Sequence, residues 1–591
     1  MELTCILKPE EIILKAREYT QNEENPFFRD QVETLIANND MNELNDRFYT
    51  DLNFGTGGLR GVIGGGYNRM NPFTVQRATQ GLANYINKTV GQGNGSAVIA
   101  FDSRNYSDLF ALEAARVLCG NGIRTYLFTG LRPTPQLSFA VRKLGATAGI
   151  VVTASHNPSE YNGYKVYWSD GAQIVAPHDS AIIAEVRGVT GKPLVMDSET
   201  AVSRGILQMI DHEIDDQFIA MVKSCSIRPE LLRKHGRDFK VVYTPLHGAG
   251  AIPVERALRE MGIEVLFVPE QKEPDGNFST VKYPNPEDVS TMKLALEMGN
   301  RLNADLVIGT DPDADRLAAA SPLNGRFEMI SGNQLGCLLA DYIFSSRVER
   351  KNLPSHPVLI KTIVTTEMQR LIAESFGATC IDTLTGFKYI GEKIGQFESQ
   401  TNGPSYVFGG EESYGYLVNT EARDKDAVSA AAIVVEMALY HRMAGRTLFD
   451  QLEILWKRFG YFQETQIAET FKGQSGLEIM RKLMERLRTD PPESIAEVAV
   501  VELRDLRDGT VRRFSGGKAS REITLPSSDV LQFILEDHSI ITARPSGTEP
   551  KIKFYASCRG LPGSPLEQSR KEVSQRLSAI SEAIKALIAG A

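Results

Sequence analysis

Three stretches of this chain carry residue types suited to phosphate chemistry. The first is Thr153-Ala-Ser-His-Asn-Pro158. A serine hydroxyl is a weak nucleophile until a neighbouring base or a metal activates it. Here His156 is adjacent, and Lys165 follows in Tyr161-Asn-Gly-Tyr-Lys165. The apolar run Gly149-Ile-Val-Val152 before it has the composition of a buried strand. Asn157-Pro158 then stops regular structure, because proline disfavours helix in the residue before it. Ser155 is therefore expected on a tight loop at a strand end, as the seat of a covalently held phosphate. Ligands of open α/β sheets collect beyond such strand ends.

The second stretch is Asp311-Pro-Asp-Ala-Asp-Arg316, delivered by the apolar strand Ala304-Asp-Leu-Val-Ile-Gly-Thr310. Three carboxylates on one short loop repel one another unless a cation lies among them. An EF-hand needs Gly at loop position 6 and Glu at position 12. Counting from Asp311, those places hold Arg316 and Pro322, so an EF-hand is excluded. Three hard oxygen ligands with a place open for a phosphate oxygen fit magnesium in phosphoryl transfer.

The third is Arg544-Pro-Ser-Gly-Thr-Glu-Pro-Lys551, where Arg544, Ser546, Gly547 and Thr548 make a compact anion site. Two further loops add to it. Asn53-Phe-Gly-Thr-Gly-Gly-Leu-Arg-Gly61 lacks the Gly-Lys-Ser/Thr ending of a P-loop, and Arg60 replaces the last glycine of a dinucleotide fingerprint. It reads as a glycine loop presenting Arg60 to a phosphate. Gly409-Gly-Glu-Glu-Ser-Tyr-Gly415 suits a clamp for a polyhydroxyl ligand, and Ile381 to Tyr389 reads as a loop presenting Lys388.

The elements that must position these loops alternate between helix and strand, the pattern of α/β folds. Four units are expected: 1–206, a helical N-terminal arm plus the domain of Ser155; 207–325, the acidic-loop domain; 326–455, the sugar-clamp domain; and 456–591, a C-terminal domain. The apolar stretch from Ala427 to Tyr440 reads as a core helix behind Arg423-Asp-Lys-Asp426. At 591 residues the chain is too long for one core. Its net charge of -9, from 65 basic and 74 acidic residues, argues against nucleic acid as the main partner. Six scattered cysteines without a CxxC pair fit a reducing compartment. With no long apolar run, the expectation is a cytoplasmic protein without a membrane partner.

Together, Gly55-Thr-Gly-Gly-Leu-Arg60, Thr153 to Pro158, Asp311 to Arg316, Gly410-Glu-Glu-Ser413 and Arg544-Pro-Ser-Gly-Thr548 resemble the motifs of the α-D-phosphohexomutase family, in the same order. The resemblance runs from about residue 45 to 560 and is nearest to the long phosphoglucomutase and phosphopentomutase branch. It implies three similar α/β units and a smaller C-terminal α+β domain around a central cleft. It also implies an intramolecular phosphotransferase acting between O1 and O6 of a hexose phosphate. Ser155 would carry the phosphate, and Asp311, Asp313, Asp315 and the group on Ser155 would hold magnesium. Arg316 would neutralise charge in transfer, and Arg60, His156 and Lys165 would share the acid/base work, unranked. Lys388, Glu411 and Ser413 would bind the sugar, while Arg544, Ser546, Gly547 and Thr548 would hold the idle phosphate. Glucose 1,6-bisphosphate would be the activating intermediate and sugar phosphates the small-molecule partners; oligomeric state stays open.

Two departures from the family pattern stand out. Gly57 occupies the place where many relatives have serine, and Pro312 and Ala314 replace common glycines in the acidic loop without removing a ligand. In the resembling family, Gly-Glu-Glu-Ser accompanies glucose preference, whereas Met at the second Glu accompanies dual glucose and mannose use; this chain has Glu412. Phosphomannomutase, phosphopentomutase and glucose 1,6-bisphosphate synthase are the alternatives within the family. A serine hydrolase is disfavoured because glycines do not flank Ser155. A non-catalytic sugar-phosphate sensor should have lost Ser155 or an aspartate, and both motifs are intact.

Overall fold

The computed structural model describes residues 8–55, 57–471, 474–514, 519–546 and 551–590. They fall into two compact units. The first comprises Met1–Leu335 and Phe387–Ala444, and the second Gly336–Gly386 and Gly445–Ala591.

In the first unit, the helices Pro9–Asn22, Pro26–Ala37 and Met41–Phe48 form the N-terminal arm. Its apolar face packs through Tyr19, Phe48, Tyr67 and Phe73, whose rings meet mostly edge to face. A six-stranded mixed sheet follows, in the order Gly58–Val62, Tyr161–Trp168, Ala148–Val152, Ser96–Phe101, Arg124–Phe128 and Leu207–Ile210. The three strands at 96–101, 124–128 and 148–152 run parallel, with helices between them. Strand Ala148–Val152 is buried at every position, which is why it reads as an unbroken apolar run rather than an alternating one. Helix Pro72–Val90 starts where both its composition and its cap dictate. Pro72 fits the first turn, and Asn71 and Thr74 exchange hydrogen bonds in a capping box.

A second sheet orders Arg326–Ile330, Leu317–Leu323, Leu306–Thr310, Val241–Thr244 and Val265–Phe267. Leu306–Thr310 is central and wholly buried. It pairs parallel with Val241–Thr244 and antiparallel with Leu317–Leu323. The first unit also holds the hairpin of Ser405–Glu411 with Gly415–Leu417 and the helices Phe387–Glu398 and Ala427–Met443. Helix Ala427–Met443 is buried nearly all round and is capped by Asp426, which accepts from the backbone N–H groups of Val428 and Ser429.

In the second unit, Pro357–Thr362 and Thr379–Thr383 pair in parallel around helix Met368–Ser375. A largely antiparallel sheet built from Phe462–Thr470, Lys551–Arg559, Ile540–Pro545, Leu531–Leu535 and Val498–Asp505 packs with helices Gln474–Thr489 and Leu566–Ala589. Among the described residues, no single helix is long and apolar enough to cross a membrane.

Two expected boundaries shift. The acidic-loop domain was expected to open at residue 207, yet Leu207–Ile210 is the edge strand of the first sheet, parallel to Arg124–Phe128. Only Leu207 and Ile210 of this strand are buried, so it lacks the alternation that marks a strand in sequence. Likewise Arg326–Ile330 closes the second sheet by pairing with Leu317–Leu323 rather than opening a third. In both cases an available sheet edge, not a local composition change, decides where the strand belongs.

Candidate active site

Ser155 stands three residues beyond its strand, in the left-handed region with φ +52°. For a residue with a side chain that conformation is uncommon, costs about 1–3 kcal/mol and persists only where its surroundings impose it. Here they do. Thr153 Oγ1 accepts from the Ser155 N–H at 2.8 Å, and the Asn157 N–H donates to Ala154 O at 3.1 Å. The turn aims Ser155 Oγ at Asp311, to which it donates at 2.6 Å, and His156 Nδ1 lies 3.1 Å away from the same oxygen.

Asp311, Asp313 and Asp315 are buried, and one ligand oxygen from each lies within 4.8 Å of the others. The loop is built by its own backbone: Asp311 Oδ1 accepts from the N–H groups of Asp315 and Arg316 at 3.1 and 3.0 Å. Thr134, at the start of helix Thr134–Lys143, donates both its N–H to Asp313 O and its hydroxyl to Asp313 Oδ2. Lys165 Nζ donates to Asp313 at 2.7 Å and to Asp315 at 3.3 Å. Burial, followed by the charges of Asp313 and Asp315, pushes the Asp311 carboxyl well up. Burial works against Asp313 too, but the adjacent Lys165 ammonium outweighs it and holds that carboxyl low. Burial, reinforced by the charges of Arg316 and Arg60, drives His156 well below the usual imidazole range, so the ring is neutral.

The donor set fits a hard divalent cation. Asp313 Oδ1 and Asp315 Oδ1 are buried oxygens that accept no hydrogen bond. Such oxygens are costly to leave unsatisfied, and an all-oxygen set of three carboxylates suits magnesium.

The remaining expected residues divide. Arg316 follows the acidic loop and pairs with Glu287. Arg60, on strand Gly58–Val62, reaches Asn157 Oδ1 at 3.3 Å. Glu411 is buried at the end of its strand, and its charge acts on both Arg316 and Lys425. Ser413 lies in the tight turn after it. That turn is docked on the strand leaving the acidic loop, where Leu317 N–H donates to Tyr414 O. Lys388 corrects an expectation: it sits in the first turn of helix Phe387–Glu398, not on a loop. Its ammonium rests 5.2 Å from the Tyr389 ring centre, and burial lowers its pKa. Apolar Phe387, Ile390 and Ile394 recur at helical spacing and bury one face, which draws Lys388 into the helix. Arg544, at the end of strand Ile540–Pro545, and Ser546, whose N–H donates to Lys551 O, belong to the second unit. Gly547 and Thr548 lie outside the described residues.

Sequence reasoning missed two basic residues. Lys425 was assigned only to the approach of a core helix, yet its Nζ lies 3.1 Å from Asp315 Oδ2. The charged tetrad Arg423 to Asp426 immediately before an apolar helix was the available signal. Arg104 is fully buried and ties the Ser155 loop together. It donates to Ser155 O at 2.5 Å, Pro158 O at 2.8 Å, Tyr161 O at 3.0 Å and to Asn157 O. The polar run Asp102-Ser-Arg-Asn105 at a strand end was its signal.

Comparison with known proteins agrees with this arrangement. Residues 51–191, 216–324 and 331–459 match α/β/α domains I, II and III of phosphoglucomutase/phosphomannomutase. A phosphoglucomutase of Staphylococcus haemolyticus is 35% identical over 516 residues, covering 86% of this chain and 91% of its own. One of Staphylococcus aureus strain MRSA252 is 36% identical over 521 residues, covering 88% and 91%. The fold is shared with parafusin, a phosphoglucomutase from Paramecium, at TM-score 0.67 and 16% identity, over 90% of this chain and 95% of that one. A phosphoglucomutase/phosphomannomutase family protein from Burkholderia thailandensis gives TM-score 0.63 at 18% identity, over 91% and 98%. With three α/β domains matched in order and over a third of the aligned residues identical to curated relatives, the chain belongs to the phosphoglucomutase/phosphomannomutase family of intramolecular phosphotransferases.

Proposed function

We propose that the protein interconverts glucose 1-phosphate and glucose 6-phosphate through a phosphate carried on Ser155. The observation that carries this reading is the aim of Ser155 Oγ into the acidic loop, 2.6 Å from Asp311 Oδ2. In the first transfer the bond from phosphorus to Ser155 Oγ breaks and one to a sugar hydroxyl oxygen forms, the proton of that hydroxyl passing by way of the acid/base group among Arg60, His156 and Lys165 to Ser155 Oγ, which gives glucose 1,6-bisphosphate and a free serine hydroxyl. After the bisphosphate turns, its other phosphate returns to Ser155 and the product monophosphate leaves. Magnesium held by Asp311, Asp313, Asp315 and an oxygen of the group on Ser155 would supply charge neutralisation for the transferring phosphoryl group.

The chain's own residues do the rest. Lys165, charged and 12% exposed, is pinned by two carboxylates and steadies the oxygens that gain charge. The neutral His156 ring beside Oγ holds a proton without first losing one. Arg60 and Arg316 bring positive charge near the imidazole, since both depress it. Glu411 and Ser413 bind sugar hydroxyls, Lys388 stands with them, and Arg544 and Ser546, with Gly547 and Thr548, take the phosphate that is not reacting. A carboxylate can accept from two neighbouring hydroxyls, and those near the ring's middle are reachable in both orientations.

Glucose is favoured because the similar curated relatives carry the name phosphoglucomutase and because Glu412 occupies the second position of the clamp. An epimer that keeps most contacts loses only a few kcal/mol, so leakage toward mannose 1-phosphate is expected. The test is kcat/KM with glucose, mannose and ribose 1-phosphates, with magnesium and the matching bisphosphate supplied. Highest efficiency with glucose 1-phosphate supports the assignment, and higher efficiency with either rival overturns it. Turnover that consumes a phosphate donor one for one would identify a bisphosphate synthase instead.

A further inference from the structure

The Ser155 loop is held from behind by a chain of contacts that crosses from the second sheet's domain to the first. Arg104 is its centre. One guanidinium serves four backbone carbonyls between Ser155 and Tyr161, and Asp102 lies 3.6 Å from its Nε. Asp102 also accepts the Thr153 hydroxyl at 2.5 Å, and Thr153 in turn accepts the Ser155 N–H. The side-chain contacts that set the left-handed turn at Ser155 thus converge on Arg104 and its carboxylate.

The outer face of Arg104 is covered by Phe278, whose ring centre is 4.9 Å from the guanidinium carbon. Phe278 is 1% exposed and belongs to the turn Pro274-Asp-Gly-Asn-Phe278 of the other domain. That turn is seated closely. A Cβ on Gly276 would stand 2.6 Å from Asn105 N, and Asn105 Nδ2 donates to Asn277 Oδ1 at 2.8 Å. Its far end is tied to the loop after strand Val241–Thr244. There His247, with φ +62°, bonds Glu273 O through Nδ1 and Thr280 Oγ1 through Nε2, each at 2.9 Å. The next residues of that loop press on the acidic loop: the Ala249 N–H donates to Pro312 O at 2.7 Å, and Gly248 leaves no room for a Cβ against Pro312. One continuous set of contacts therefore runs from Pro312, beside the metal-type carboxylates, through His247 and Phe278 to the backbone of Ser155.

We propose that Phe278, seated by Gly276 and His247, is a positioning residue that holds Arg104, and through it Ser155, in register with the acidic loop for phosphoryl transfer. A guanidinium capped by an aromatic face keeps its plane fixed, and a displacement of about 1 Å at a reacting atom can cost a hundredfold in rate. Phe278, Gly276, His247 and Arg104 are not among the residues assigned to the sugar, so substrate affinity should be left alone and the transfer step is what changes.

This inference rests on Ser155 as the phosphate carrier, and the experiment separates the two. The full-length enzyme is loaded with glucose 1,6-bisphosphate, the phosphate on Ser155 is quantified by intact mass and peptide mapping, and transfer to glucose 1-phosphate is followed by rapid quench in a single turnover. Phe278→Leu and Gly276→Ala are expected to take up phosphate to the native extent. Both should transfer it about tenfold more slowly, with KM for glucose 1-phosphate within twofold of native. Gly276→Ala alters a surface turn and carries the test if Phe278→Leu does not fold. Native transfer rates in the folded variants, or a change confined to KM, would overturn the proposal while leaving the carrier intact. Absence of phosphate on Ser155 in the native enzyme would overturn both.

Discussion

Lys425 Nζ lies 3.1 Å from Asp315 Oδ2, the same oxygen that Lys165 Nζ approaches at 3.3 Å. Two ammonium groups from distant parts of the chain thus pair with Asp313 and Asp315, two of the three buried carboxylates. The stem of Lys425 passes over Gly415, where a Cβ would meet Lys425 Cδ at 2.1 Å. That clearance explains a glycine at the start of strand Gly415–Leu417 without appeal to backbone angles. Lys425→Met is expected to lower kcat/KM about ten- to a hundredfold, the equivalent of roughly 1.5–3 kcal/mol for a lost charge-assisted contact. Gly415→Ala, which displaces the same side chain, should fall in the same direction. Steady-state kinetics of the two variants check this, and unchanged efficiency in Lys425→Met would remove the residue from the site.

Ser155→Ala should abolish mutase turnover and the phosphorylated fraction together. Native protein examined by intact mass should carry phosphate mapping to the peptide that contains Ser155. An alanine variant with full activity would end the carrier mechanism.

Removal of divalent cation by chelation should silence the enzyme, and magnesium should restore it. Asp313→Asn keeps the shape of the loop but removes one charge among Asp311, Asp313 and Asp315, so its magnesium requirement should rise by at least tenfold. Calorimetric titration with magnesium alone gives a readout independent of turnover. Unaltered affinity and unaltered rate would reduce the cluster to an acidic turn.

Acid should weaken the second unit through Glu367. Burial alone would raise its pKa, but Lys361 at 2.6 Å and Arg370 at 2.8 Å outweigh it and bring it to about 2. A carboxyl whose pKa is depressed on folding contributes stability above its unfolded value, about 4.5, and loses it as pH falls through the folded one. The stability advantage of native protein over Glu367→Gln should therefore be full at pH 7 and shrink between about pH 4.5 and 2. Chemical denaturation of both proteins across that range measures it. A gap independent of pH would show that Glu367 acts by packing alone.

How much of this was legible in the sequence depends on the range of the interaction. The run Gly149 to Val152, the break at Asn157-Pro158 and the alternate aspartates 311, 313 and 315 are local, and the strand, the tight loop and the carboxylate cluster they specify are all present. Strand burial and turn chemistry act within a few residues, so residue types are enough to reveal them. The placement of Leu207–Ile210 on the first sheet and of Lys425 against Asp315 is of another kind. So is the grip of Arg104 on the Ser155 loop. A strand edge pairs with whatever edge the packed core leaves open, and a long basic side chain finds its carboxylate or carbonyl only after helices and sheets have brought them together. The sequence determined which groups could do phosphoryl chemistry. Tertiary packing alone decided which lysines neutralise the aspartates and what holds Ser155 at the angle it needs, because those contacts join residues whose separation along the chain carries no periodic signal.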